Sequence, residues 1–190
     1  MKVGILAVQG DYEAHADALA RLGADWALVR KPADLESVEA LILPGGESTT
    51  QMKFLCEEGL GPAIRDFAKR GGAVFGTCAG AILLAREVRN PAQDSLGLVD
   101  ISVTRNAYGR QVASEVRQGS SKLGPGELEM VFIRAPVIAE VGKDVEVLAE
   151  SEGQPVLVRQ RRVLAATFHP ELSADTTVHA FFLSLAQNGH

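Results

Sequence analysis

Three short apolar runs near the N-terminus each break at a glycine-bearing turn. "KVGILAV" (2–8) ends in "QGD" (9–11), "ALILP" (40–44) in "GGES" (45–48), and "AVFG" (73–76) in "TCAG" (77–80). The stretches between them have helical spacing. Ala14, Ala18, Leu19 and Leu22 recur at three and four residues, and Gly23 is placed to stop that helix. A second helix opens after "PGGES", where Ser48 and Gln51 have the spacing of a capping box. "WALVR" (26–30) reads as one more strand, and an amphipathic stretch over 63–71 precedes "AVFGTC". Strands alternating with helices pair in parallel and need both faces of their sheet covered.

From about Val99 to Phe168 the chain changes character and becomes strand-rich, with "LVDISVTR", "MVFIRA", "VEVLAES", "PVLVRQ" and "VLAATF". A closing helix over roughly 174–187 carries Val178, Phe181, Phe182 and Leu185 along one stripe. "RQGSSKLGPGE" (117–127), rich in Gly, Ser and Pro, is expected to be the most mobile loop. No internal repeat or linker divides the 190 residues, so one domain over 1–190 is expected. The expected fold class is α/β: a flavodoxin-like, wound three-layer α/β/α sandwich with a mainly parallel central sheet and extra β-strands in the second half.

Composition narrows the partners. Hydrophobic residues make up 46% and charged residues 23%, an ordinary globular balance. Net charge is −5, and "RQRR" (159–162) is too short and too strand-flanked for a nucleic-acid patch, so it is read as a hairpin end. Two cysteines make no disulfide framework, and the metal spacings of paired Cys and His are absent, so no metal is expected. The apolar run Val3–Val8 is too brief for a signal peptide or a membrane span. A cytoplasmic protein with free thiols, bound to neither nucleic acid nor membrane, is the expectation.

Ligands of wound parallel sheets gather at the carboxyl ends of the strands, where all three glycine turns sit. "GTCAG" has the Gly-x-nucleophile-x-Gly form of a nucleophile elbow, with Cys78 in the nucleophile position. An ordinary thiol has a pKa of roughly 8.5, and the N-terminus of the following helix favours its thiolate. The alternative is a buried packing cysteine, and the elbow alone does not separate the two. In "TFHPEL", His169 and Glu171 are two apart at the end of an apolar strand, which would put their side chains on one side. Pro170 restricts the step between them. A carboxylate that accepts a proton from one ring nitrogen leaves the other free to act as base.

Cys78, His169 and Glu171 together make a set for nucleophilic catalysis, drawn from distant segments. In "PGGES", consecutive glycines leave backbone N–H groups free to face an oxyanion. Ser48 is assigned to the helix cap. Glu47, with no such structural task, could receive a cationic group such as a substrate ammonium. Cys56, His179 and His190 are read as structural, and so is His15, although it lies close behind the "QGD" loop.

The combination of "GTCAG", "FHPE" and "PGGES" resembles the class I, triad-type glutamine amidotransferases. More narrowly, "LAVQGD", "LPGGESTT", "FGTCAGAILLA", "TRNAYGRQV", "FIRAP" and "ATFHPEL" are similar, in order, to the glutaminase-subunit family of pyridoxal 5′-phosphate synthases. The resemblance implies Cys78 as nucleophile, His169 as general base and acid, and Glu171 as its orienting carboxylate. It implies that Gly46, Glu47, Ser48, Arg105, Ile133 and Arg134 hold L-glutamine, with backbone N–H groups near Gly46 and Ala79 as oxyanion donors. Arginine suits an α-carboxylate because its fork can bind both oxygens.

The resemblance further implies a partner. A (β/α)8-barrel synthase subunit, in a large hetero-oligomeric complex, would take the ammonia through a tunnel, and no cofactor is implied for this chain. Rival readings are a glutaminase for another synthase, such as that of histidine biosynthesis, a non-catalytic regulatory subunit of the same fold, and a stand-alone cysteine hydrolase. "QGD", "TCAGAI" and "IRAP" speak against the first and the complete triad against the second. One stretch departs from the family pattern. After "GRQV" the family usually has an Asp-Ser-Phe-Glu-like run, whereas this chain reads Ala113-Ser114-Glu115-Val116.

Overall fold

The computed structural model describes residues 1–106 and 114–188, so the expectations that fall on 107–113 and on His190 lie outside the described residues. The chain begins with β1 (Lys2–Leu6), α1 (Tyr12–Arg21), β2 (Asp25–Val29), a 3-10 turn over Pro32–Ser37 and β3 (Ala40–Leu43). There follow α2 (Ser48–Glu57), α3 (Leu60–Lys69), β4 (Ala73–Thr77), the short α4 (Ala79–Leu84) and β5 (Ala85–Arg89). The second half adds β6 (Val99–Thr104), β7 (Ser114–Ser120), β8 (Glu127–Ile133), β9 (Val137–Val141), β10 (Glu146–Ser151), β11 (Gln154–Gln160) and β12 (Val163–Ala166). A second 3-10 turn, Pro170–Leu172, and α5 (Thr177–Gln187) complete it.

The central sheet has the order β10-β11-β12-β4-β3-β1-β2. The five strands from β12 to β2 pair in parallel, and β11 and β10 continue the sheet in antiparallel pairing. Residues of the parallel strands alternate between two cores, as the period of two requires. Leu41, Leu43 and Val74 pack with Leu55, Ile64 and Phe67 from α2 and α3. Ala40, Ile42 and Phe75 pack on the other face with Leu19 of α1 and Phe182 of α5. Burying each such leucine or phenylalanine is worth roughly 1.5–3 kcal/mol, so a one-residue slip of a central strand would misplace its whole set. The β5-β6-β9 sheet extends the first core through Ile101, Val103 and Ile138, and the β7-β8 hairpin extends the second through Leu128 and Met130. The wound α/β expectation holds, with the extra strands in the second half.

Three strands were not visible in the sequence. β5 follows α4 with no turn residue between them; the chain changes from helical to extended at Ala85, so "AILLAREV" looks like one helix. β9 is short, and of its five residues only Ile138 is buried. β7 occupies much of the segment expected to be mobile. It pairs with β8 along its whole length, from Ser114 opposite Ile133 to Ser120 opposite Glu127, which leaves only 121–126 as connection. Its alternation is between exposed and half-exposed positions, and its single large hydrophobe, Val116, is 60% exposed. Pairing with β8 supplies what local pattern does not. "RQRR" closes the β11–β12 hairpin, as read from the sequence. Among the described residues no helix is long and apolar enough to cross a membrane.

Candidate active site

The parallel strands deliver three loops to their carboxyl ends, and the sharpest turn is at Cys78. Its backbone has φ 49 and ψ −104, a conformation that non-glycine residues seldom adopt and that costs of order 1–3 kcal/mol. The turn tolerates nothing larger than glycine on either side. A Cβ on Gly76 would lie 2.5 Å from the Gly80 carbonyl, and one on Gly80 would collide with the Leu43 carbonyl of β3. The Cys78 N–H donates to the Ala166 carbonyl at the end of β12 at 2.8 Å, which ties the elbow to the strand that leads toward His169. The thiol is 8% exposed and lies 3.8 Å from the Ile133 carbonyl.

His169 follows β12 after two residues. Its N–H donates to the Val131 carbonyl of β8 at 2.8 Å, and its Nδ1 is 2.7 Å from Glu171 Oε1, both side chains being buried. The two side chains meet across the Pro170–Leu172 3-10 turn, because β12 stops at Ala166; the strand-end reason expected for their pairing is therefore corrected. With Nδ1 donating to the carboxylate, Nε2 is the nitrogen free for a proton at the sulfur. Burial disfavours the imidazolium, but hydrogen bonds to Cys78 and Glu171, and the charges of both, outweigh burial and push His169 up to about 10. A histidine held protonated beside sulfur suits a thiolate–imidazolium pair.

The "PGGES" loop closes the site from β3. A Cβ on Gly45 would come within 2.5 Å of His169 Cε1 and 3.6 Å of Cys78 Cβ, so bare backbone faces the reacting groups. The Gly45 carbonyl accepts from the Asp11 N–H at 3.2 Å, and the Glu47 N–H donates to Gln9 Oε1 at 2.9 Å. Gln51, fully buried, donates from Nε2 to the carbonyls of Gln9 and Pro44. Gln9 was not singled out in the sequence, although it sits inside the "QGD" turn, and Gln51, read there only as the capping-box partner of Ser48, instead bonds to the backbone of both loops.

Two sequence assignments change places here. Glu47, not Ser48, is the N-cap of α2. Its carboxylate accepts from the Thr50 N–H at 2.9 Å and from the Thr49 and Thr50 hydroxyls, and Ser48 instead donates its hydroxyl to Gln93 Oε1 at 2.9 Å. The Thr49 hydroxyl, with lesser help from the Thr50 groups, holds the Glu47 carboxyl down to about 2 against the opposing effect of burial. Arg105, just past β6, reaches the other Glu47 oxygen at 3.4 Å. Ile133 presents its carbonyl to the thiol, and Arg134, at φ 45 and exposed, follows it at the same rim. Ala79 begins α4 directly after Cys78.

Cys56 is exposed on α2, which corrects its assignment to packing: Gln51, Met52 and Leu55 form the buried face of that helix. The packing role of His15 and His179 is incomplete in another way. Both are fully buried and touch each other, and His15 also approaches Glu171. The buried face of α5 is Val178, His179, Phe182 and Ala186, one step around from the expected stripe, and this rotation brings His179 inward. Among the described residues no cluster of His, Cys, Asp and Glu is arranged to hold a metal.

Relatives match this chain along its whole length. The pyridoxal 5′-phosphate synthase subunit PdxT of Koribacter versatilis is 55% identical over 190 residues, covering 100% of this chain and 98% of that protein. The subunit of the same name from Thermus thermophilus is 53% identical over 186 residues, covering 97% of each. A crystal structure of a glutamine amidotransferase superposes with a TM-score of 0.93 at 50% identity, covering 97% of this chain and 98% of that one. The family model of the SNO glutamine amidotransferases matches residues 5–188, elbow, histidine turn and closing helix included, and the chain belongs to that family.

Proposed function

We propose that this chain is the glutamine-hydrolysing subunit of a pyridoxal 5′-phosphate synthase, acting as one glutaminase domain over 1–190. The observation that carries the reading is the convergence of His169 on Cys78 at the elbow, with its Nδ1 held 2.7 Å from Glu171 Oε1. Relatives named for that synthase, identical at 53–55% of positions, supply its context.

In the reaction, the Cys78 thiolate adds to the side-chain carboxamide carbon of glutamine and a C–S bond forms. The oxyanion is met by backbone N–H groups of Ala79 and Gly46. His169 gives its Nε2 proton to the nitrogen, the C–N bond breaks, and ammonia leaves a glutamyl thioester on Cys78. A water then adds to the thioester while His169 Nε2 takes its proton; collapse expels the thiolate, releases glutamate and restores the pair. Glu171 holds the ring in one tautomer throughout. Arg105, Arg134, Glu47, Ser48 and Ile133 surround the amino-acid end of glutamine, which would require Arg105 to exchange Glu47 for the substrate carboxylate.

Ammonia in water is protonated and lost as a nucleophile, so a synthase subunit docks over the site and takes it up directly. That partner is a (β/α)8-barrel in a large hetero-oligomeric complex in the cytoplasm. The Gly45–Gly46 peptide, pinned here through Asp11, is the part that moves when the partner completes the oxyanion hole. The test is ammonia release from glutamine by the purified chain, alone and with the barrel subunit, with Cys78→Ala as control. Activity that rises with the subunit and is absent in the variant is expected. Activity indifferent to the subunit would discard the assigned synthase, and none in either condition would discard the glutaminase.

A further inference from the structure

Glu171 spends one carboxylate oxygen on His169, and the other faces a closed histidine cluster to which the reaction above assigns no part. His15, on the first turn of α1, brings Nε2 to 3.6 Å from Glu171 Oε2 and 3.1 Å from Thr77 Oγ1. Its Nδ1 is 3.0 Å from Nε2 of His179 on α5. Among the described residues Oε2 of Glu171 has no hydrogen-bond partner of its own, and neither has Nδ1 of His179. The Phe75 ring of β4 stands edge-on to both imidazoles, and the charged groups that act on them are Glu171, His169 and, beside His179, Arg21.

Counting protons orients the two rings. Burial, then the neighbouring His179 and His169, keep His15 well below its ordinary pKa, and burial and Arg21 hold His179 at about 4, so both are neutral at neutral pH. A neutral imidazole has one N–H and one bare nitrogen. A proton on His15 Nδ1 would be donated to His179 Nε2. That would strand the His179 proton on Nδ1, where no acceptor lies, and turn a lone pair of His15 toward the Glu171 carboxylate. The opposite assignment has His179 Nε2–H donating to His15 Nδ1, and aims His15 Nε2–H at Thr77 Oγ1 and Glu171 Oε2. It leaves unpaired only an acceptor, at His179 Nδ1. Stranding a buried donor costs roughly 1–3 kcal/mol, so the second assignment holds.

From this geometry we propose that His15, its tautomer fixed by His179, is a positioning residue for the catalytic pair: its Nε2–H faces the outer oxygen of Glu171 and keeps that carboxylate aligned on His169 Nδ1. The inference rests on the glutaminase reading of Cys78, His169 and Glu171. Outer partners of this kind typically change activity about 10–100-fold when removed from metal-bound histidines, and the same logic applies where sulfur replaces the metal.

The test compares His15→Gln, whose amide nitrogen reaches the place of Nε2, with His15→Met, which fills the site without a donor. Ammonia release is measured with the partner synthase subunit, and the ring titration of His169 is followed by NMR of histidine-labelled chain. His15→Met is expected to lower kcat about tenfold or more with KM for glutamine within about twofold. It should also move the His169 titration down by about one pH unit, while His15→Gln stays near wild type in both. Equal losses in both variants, or a fall in activity with His169 unmoved, would overturn the proposal in favour of packing alone. If His15→Met does not fold, His179→Leu takes its place: a smaller change of the same sign is expected, and unchanged kcat and titration would overturn the proposal. A wild-type chain that releases no ammonia with its partner would instead sink the glutaminase reading, and the titration would still judge the positioning.

Discussion

Glu171 has a histidine at each oxygen, and the two end in opposite states. His169, at 2.7 Å from Oε1, is pushed up to about 10; His15, at 3.6 Å from Oε2, is held well below its ordinary value. Burial acts on both in the same direction. The difference lies on the far side of each ring, where His169 meets the sulfur of Cys78 and His15 meets a second neutral imidazole. A carboxylate alone does not make a charged histidine inside a protein; a second anionic partner tips the balance. In the proposed reaction only His169 could therefore hand a proton to a leaving ammonia.

The comparison breaks most completely at the sulfur. Cys78→Ala should reduce ammonia release by at least about 10³-fold, since no other nucleophile stands in the elbow. In the same variant the His169 titration should fall far below about 10, because burial then opposes Glu171 alone; NMR of the labelled rings reads it. Glu171→Gln comes next. It keeps the shape, removes the charge shared by the two rings, and is expected to cost about 10²-fold in kcat with a smaller change in KM.

Acid probes the other side of the comparison. His179 has a folded pKa of about 4 against an ordinary 6.5, so the folded state favours its neutral form. That contribution is fully present above about 6.5 and is lost as pH falls through about 4. The shift corresponds to roughly 3 kcal/mol from this group. Urea unfolding between pH 7 and pH 4 should show the loss, and His179→Leu should flatten that slope. The smallest expected effect is at the cap. Glu47→Ala should cost about 1 kcal/mol of stability by the same measurement, a contribution that in the wild type persists above about 4.5 and fades as pH falls through about 2.

The loops of the candidate site were legible because their chemistry is local. Glycines around Cys78 mark a turn with no room for side chains, and His169-Pro170-Glu171 carries a base and its carboxylate within three residues. What the sequence hid depends on partners far away. His15 and His179 are 164 positions apart, and only the packing of α1 and α5 against β4 reveals that they touch. β7 is a strand only because β8 pairs with it. Spacing points to Ser48 as the cap, and Glu47 takes its place because its backbone is extended and its side chain turns back to the Thr50 N–H. Arg105 and Arg134 look like any other arginine until their strands are placed at the mouth of the site.

In the proposed reaction the elbow and the Glu171-held histidine make one thiol the nucleophile for glutamine. The chain offers its own control, because Cys56 is exposed and Cys78 is buried. The most direct measurement is mass-spectrometric mapping of the chain, with its partner subunit, after treatment with a diazoketone analogue of glutamine. The account predicts a single adduct on Cys78, prevented by excess glutamine, with Cys56 unmodified despite its exposure. Labelling that follows exposure, with the adduct on Cys56 and none on Cys78, would contradict it.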